Sequence, residues 1–156
     1  MFEQLNAGLR KPLTLISAPA GYGKTTLLCD WRARTGDDYP LAWLSLDPDD
    51  NNLNQFLNYI TAALASLDPT LCQDLAYQLN LPQLPPVEAL ITGLINGVNQ
   101  YPQDFTLVLD DYHVITDPSI NKALSYLLDH LPQKMHLLML TRADPPLSLA
   151  KLRGRN

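Results

Sequence analysis

Four short, almost unbroken apolar runs, separated by stretches of helical periodicity, constrain this chain more than any other feature. The runs are LTLIS at 13–17, LAWLSL at 41–46, FTLVL at 105–109 and HLLML at 136–140. None alternates polar with apolar, so each fits a strand covered on both faces, as in a parallel sheet. Between them lie apolar stripes at helical spacing. They are Leu27, Leu28 and Trp31; Leu53, Phe56, Leu57, Ile60, Leu64 and Leu67; Val87, Leu90, Ile91, Leu94, Ile95 and Val98; and Ile120, Ala123, Leu124, Leu127, Leu128 and Leu131. Pro85-Pro86 leads into the third stripe. Asp117 is placed to cap the fourth, with Pro118 at the first helical position, where no amide hydrogen is needed. Residues 68–86 read as a short helix around Leu71 to Tyr77 followed by a proline-rich link. Strand and helix alternate along all 156 residues, which predicts one α/β domain, 1–156, built on a mostly parallel sheet.

The balance of charge narrows the partners. Net charge is −5 and the one local basic cluster is Lys151, Arg153 and Arg155, whereas a nucleic-acid backbone calls for a clustered positive face. No direct DNA binding is therefore expected of this segment. Nothing approaches the ~18 apolar residues of a membrane span, and no stretch has the pattern of a signal peptide, so a soluble, cytoplasmic chain without membrane contact is expected. Cys29 and Cys72 lack metal-ligand spacing and sit among apolar neighbours, which predicts buried or half-buried thiols in a reducing compartment.

The first apolar run breaks into APAGYGKTT before the first helical stripe. A strand, then a glycine loop, then a helix is the placement a phosphate-binding loop requires. Gly21 and Gly23, with Ala20 and Tyr22, let backbone amides converge on phosphate oxygens. Lys24 reaches the terminal phosphates, Thr25 offers its hydroxyl to Mg²⁺, Thr26 is placed at the α-phosphate, and the helix N-terminus adds positive dipole. The first position of the usual glycine-rich pattern is Ala18. A glycine turn that happens to precede a helix is the plainer alternative.

Two other strand ends favour the phosphate loop. TLVLDDYH ends a strand in Asp110, the expected Mg²⁺ partner, and Asp111, which can orient or deprotonate an attacking water. HLLMLTR ends another in Thr141 and Arg142, a polar group and a cation able to sense or neutralise a terminal phosphate. Taken singly, each is an ordinary turn or surface residue; taken together, they meet where open α/β sheets bind ligands, at the carboxyl ends of the strands. His113, His130 and His136 share no ligand spacing and read as surface or satisfied histidines. Asp47 reads as a turn residue, and Trp31 and Trp43 as packing residues.

The stretches LNAGLRKPLTLISAPAGYGKTTLLCDW, LAWLSLDPDDNNLNQFLNYITAAL and FTLVLDDYHVITDPSINKALSYLLDHLPQKMHLLMLTRADPPLSLAKLRGRN together resemble the nucleotide-binding domain of MalT-type regulators. These are large ATP-dependent transcription activators with a LuxR-type DNA-binding end, within the STAND class of P-loop NTPases. The resemblance implies a three-layer P-loop NTPase fold, truncated before the fifth strand and lid. It implies that Lys24 and Thr25 belong to the phosphate and Mg²⁺ site and that Asp110 and Asp111 are the paired acids. It also implies that Arg142 is a sensor arginine, on a strand lying between the loop strand and the acid strand.

The function so implied is an ATP (or ADP) and Mg²⁺ switch within a larger regulator, with slow hydrolysis at most. Its partners would be the nucleotide and the regulator's remaining domains, with ATP-dependent self-association in the full-length protein. Without an adenine clamp and lid, weak binding and little turnover are expected of this segment alone. A stand-alone P-loop ATPase or small-molecule kinase, and an interaction scaffold that has lost nucleotide, are the alternatives. The absence of an arginine-rich lid segment and acceptor site weighs against the kinase, and the intact Lys24, Thr25, Asp110 and Asp111 weigh against the scaffold.

Overall fold

The computed structural model describes residues 12–17, 24–35 and 40–142. Strands β1 (Leu13–Ser17), β2 (Leu41–Ser45), β3 (Phe105–Asp110) and β4 (Met135–Thr141) form one sheet in the order β1-β4-β3-β2. Every pairing in it is parallel. The helices are α1 (Lys24–Thr35), α2 (Leu53–Ala65), α3 (Gln73–Leu79), α4 (Val87–Asn99) and α5 (Pro118–Asp129).

Alternate residues of each strand serve opposite faces of the sheet. Ala42, Leu44, Phe105, Leu107, Leu109, Met135, Leu137 and Met139 pack with the apolar stripes of α2 to α5 in one large core. Val108, Leu138 and Leu140 turn the other way and pack with Trp31 of α1. The result is three layers, with the sheet in the middle. The central strands β3 and β4 are buried at every position, as their unbroken apolar runs imply. The two-sided covering predicted for LAWLSL holds only in part. Leu41 and Trp43 of β2 are half-buried and Ser45 is exposed, because β2 has one strand neighbour and the α1 face closes over the central strands.

Local chemistry sets the helix starts. The Asn52 side chain accepts from Gln55 N at 3.1 Å and caps α2. Asp117 does the same for α5, accepting from Ser119 N at 2.9 Å, with Pro118 first in the helix. Helix α3 begins at Gln73, two residues later than its apolar pattern suggests, because Cys72 ahead of it is left-handed (φ 64°, ψ 25°). The thiols also differ from expectation: Cys72 is buried, but Cys29 is exposed. Trp31 anchors α1 to the sheet at 1% exposure. Cys29, two residues earlier, lies about 200° around the helix and faces away.

Candidate functional site

Parallel pairing sends the carboxyl ends of all four strands to one edge. There Ser17 of β1 pairs in register with Thr141 of β4, and Ser45 of β2 with Asp110 of β3. Neighbouring strands are ~4.8 Å apart, so Asp110 lies about 10 Å across the sheet from the end of β1, with β4 between them. This is the strand arrangement expected for the three strand-tip motifs. Helix α1 begins at Lys24 on the same edge, where β1 leads into it. Residues 18–23, with Ala20, Gly21, Tyr22 and Gly23, lie outside the described residues, as do the side chains of Lys24 and Thr25. Thr26 is exposed in the first turn of α1. The basic cluster Lys151, Arg153 and Arg155 is also outside the described residues.

The adjacent acids Asp110 and Asp111 have opposite surroundings. Asp110 is the last residue of β3, is 4% exposed, and accepts from Leu46 N through its carbonyl at 3.0 Å. Strand alternation puts it on the face of Val108, the α1 side. Asp111 is the first residue past the strand, exposed and left-handed (φ 60°, ψ 39°). Aspartate tolerates that conformation better than most residues, at some strain. A single 3-10 turn, Tyr112–Val114, follows, closed by Val114 N donating to the Asp111 carbonyl at 3.2 Å. Tyr112 is buried, and its hydroxyl donates to Asn121 Oδ1 of α5 at 2.6 Å. Burial pushes the Tyr112 phenol well above the ordinary tyrosine range.

At the end of β4, Thr141 is fully buried and Arg142, just beyond it, is exposed. Thr141 shares the strand parity of Leu137 and Met139, which face α2 to α5, so its side chain turns away from the α1 face. Asp47 acts as a turn residue, as expected: its carboxylate accepts from Asp49 N at 2.8 Å at the start of a 3-10 turn, Pro48–Asp50. The three histidines share no site. His130 is exposed, His136 is buried in β4, and His113 is half-buried in the turn after the acids.

Sequence reading missed two features beside the acids. Asn51, in the loop before α2, bonds to Thr116 and Asp117 across 65 and 66 residues. Asn121 interrupts an otherwise apolar helical stripe to receive the Tyr112 hydroxyl. The second left a trace in the sequence, a polar residue at a core position. The first left none, since DPDDNN reads as a turn whether or not Asn51 reaches across to another loop.

The donor chemistry at this edge suits a nucleotide-bound magnesium ion. The Asp110 carboxylate is a hard oxygen donor, and Mg²⁺ is characteristically held by one or two carboxylates plus substrate phosphates and water. Among the described residues no group of three or more His, Cys, Asp or Glu forms a protein-only metal cage. An ion here would take most of its ligands from phosphate and solvent.

Three layers, an all-parallel β1-β4-β3-β2 sheet, the glycine-containing APAGYGKTT sequence leading from β1 into α1, and acids at and just past the end of β3 together make a P-loop NTPase fold. One solved structure, that of Drosophila ORC bound to DNA, matches at a TM-score of 0.58 with 11% identity, covering 91% of this chain and 74% of that one. No protein-family model matches the chain. By sequence, the chain is homologous to one segment of the MalT-type HTH transcriptional regulators. It is 39% identical over 144 residues to the HTH-type transcriptional regulator MalT of Yersinia enterocolitica, covering 92% of this chain and 16% of that protein. The MalT of Serratia proteamaculans matches to the same extent. That of Yersinia pestis is 36% identical over 156 residues, all of this chain and 17% of its own length. The chain thus spans about a sixth of the relatives it matches.

Proposed function

We propose that the chain is the nucleotide-binding core of a MalT-like transcription regulator, in which ATP and Mg²⁺ bias the larger protein between resting and active states. The observation that carries this reading is the strand order. It gathers the end of β1, the Asp110–Asp111 pair and Arg142 at one sheet edge, beside the start of α1. The edge is where ligands bind in open α/β sheets.

In this reading Ala20, Gly21, Tyr22 and Gly23 wrap the phosphates with backbone amides, and Lys24 neutralises the terminal phosphates. Thr25 and Asp110 hold the magnesium, and Thr26 lies at the α-phosphate. When bound, the ion screens phosphate charge and helps to orient the nucleotide. Asp111, exposed and outside the ladder, is placed to orient or accept a proton from a water, and Arg142 to report on the terminal phosphate. Switching requires that ATP and ADP differ in their affinity for the two states of the whole regulator. The remaining regulator domains, a cytoplasmic setting and ATP-dependent self-association of the full-length protein belong to the same proposal.

Titration calorimetry of the chain with ATP and Mg²⁺, beside Lys24→Ala, tests the reading. Saturable heats from the native chain and none from Lys24→Ala are expected, with Asp110→Asn keeping nucleotide binding but losing its Mg²⁺ dependence. Equal heats from the native chain and Lys24→Ala would remove the phosphate loop. Rapid multiple turnover with no added partner would instead favour a stand-alone ATPase.

A further inference from the structure

Between Asp110 and α5 the chain runs through residues 111–117, and this acid loop is held at both ends by the loop that follows β2. At one end, Leu46 N donates to the Asp110 carbonyl at 3.0 Å. At the other, the Asn51 side chain makes three bonds. Its Oδ1 accepts from Thr116 N at 3.0 Å and from Asp117 N at 2.8 Å, and its Nδ2 donates to Thr116 Oγ1 at 2.6 Å. A primary amide offers two acceptor sites and two donors, so three of its four bonding positions are spent on one short segment.

Asn51 is itself fixed on its own side, with its N–H donating to the Pro48 carbonyl at 3.4 Å at the end of the 3-10 turn. The loop it grips contains Asp111 in the left-handed region. A strained conformation persists only where its surroundings over-determine it, and at the far end of that loop Asn51 holds the Thr116 and Asp117 amides, beside the bonds by which Asp117 caps α5.

We propose that Asn51 is a positioning residue for the acid pair. It touches no nucleotide. By clamping residues 116 and 117, it holds the loop so that Asp111 projects from the strand end while Asp110 stays in the ladder. The inference deepens the nucleotide-site reading and rests on it for its catalytic meaning, but the clamp has a consequence that needs no nucleotide.

The test compares three variants of the chain. Asn51→Ala removes the clamp. Asn51→Asp keeps an acceptor for both amides, and the Thr116 hydroxyl can turn to donate to it. Asn52→Ala, at the next residue, removes the α2 cap and serves as a control for stability alone. Hydrogen exchange of the nucleotide-free proteins reads the loop directly. Asn51→Ala is expected to speed exchange of the 111–117 amides about ten-fold, the factor that loss of one net hydrogen bond allows. Asn51→Asp should restore slow exchange, and Asn52→Ala should leave this segment at the native rate.

In the presence of ATP, Asn51→Ala should raise the Mg²⁺ concentration at half-saturation several-fold while leaving Mg²⁺-free nucleotide affinity unchanged. Native exchange in Asn51→Ala, the same acceleration in Asn52→Ala, or an unshifted Mg²⁺ dependence would each overturn the inference. A native chain that binds no ATP defeats the functional reading instead, and the exchange comparison still decides whether Asn51 clamps the loop.

Discussion

The buried bond between Tyr112 and Asn121 sets how firmly the chain is tied down just after its two acids. Tyr112 is 1% exposed and Asn121 is 7% exposed, and the hydroxyl donates to Oδ1 at 2.6 Å. Tyr112→Phe keeps the ring and its packing but strips the buried amide oxygen of that donor. Leaving a buried acceptor unsatisfied costs about 1–3 kcal/mol, more than the net worth of an average hydrogen bond, because its desolvation is no longer compensated. For a domain of this size each kcal/mol lowers the melting temperature by about 2–4 °C. A loss of about 2 kcal/mol therefore predicts a fall of about 4–8 °C. Asn121→Leu should cost a similar amount by leaving the tyrosine hydroxyl without its acceptor.

The double variant Tyr112→Phe/Asn121→Leu removes both polar groups at once, so no orphan remains, and most of the stability should return. With each single cost at about 2 kcal/mol and the double variant within about 1 kcal/mol of the native chain, the cycle should give a coupling of about 3 kcal/mol, measured by urea unfolding of the four proteins with unchanged m-values. If Tyr112→Phe lies within ~0.5 kcal/mol of the native chain, or the single costs simply add, then the bond does not anchor the turn behind the acids.

Two glycines of α4, one helical turn apart, should respond with opposite sign to the same change. A Cβ on Gly97 would stand 3.0 Å from Cys72 N and 3.1 Å from its Cα, so Gly97→Ala should destabilise by about 1–3 kcal/mol. A Cβ on Gly93 meets only the Gln78 side-chain amide, 3.1 Å from Oε1, which can swing away. Gly93→Ala should therefore gain up to about 1 kcal/mol of helix propensity; equal signs in urea titrations would refute this account. Under native conditions a disulfide reagent should label Cys29 and spare Cys72 until unfolding, and rapid native labelling of both would contradict the burial. Burial pushes the Cys72 thiol up to about 12. The unfolded chain loses that proton first as pH rises, so stability should fall between about pH 9 and 12, by at most about 1.4 kcal/mol per pH unit from this group. A Cys72→Ala chain that loses stability with the same alkaline slope would exclude the thiol as the cause.

How much was legible in advance depended on whether the cause was local. The stripes Phe56, Leu57, Ile60, Leu64 and Leu90, Ile91, Leu94, Val98 are buried, because a helix with one apolar face has one way to hide it. Asp117-Pro118 marked the start of α5 because a cap and its proline act within one turn. The late start of α3 was not legible, since the left-handed Cys72 packs against Gly97, 25 residues on, with no space for a side chain between them. Nor was the exposure of Cys29, which depends on Trp31 being the contact that orients α1. Strand order cannot be read from apolar runs at all, and here it came from resemblance to a family.

The acid pair shows the same limit at the scale of one residue. Nothing in the letters LDD distinguishes the first aspartate from the second. The pleat and the turn do: Asp110 is held in the ladder beside Ser45 and faces the α1 side, while Asp111 has left it in a left-handed turn. Had β3 ended one residue earlier, the buried carboxylate would have been lost from the strand tip. Had it run one residue further, Asp111 would have turned to the opposite face, toward α2 to α5. The Leu46 bond to the Asp110 carbonyl, the Asn51 clamp and the Tyr112 anchor all act on the few residues around that boundary. A nucleotide site at this edge would therefore depend on where the strand stops as much as on the presence of two acids.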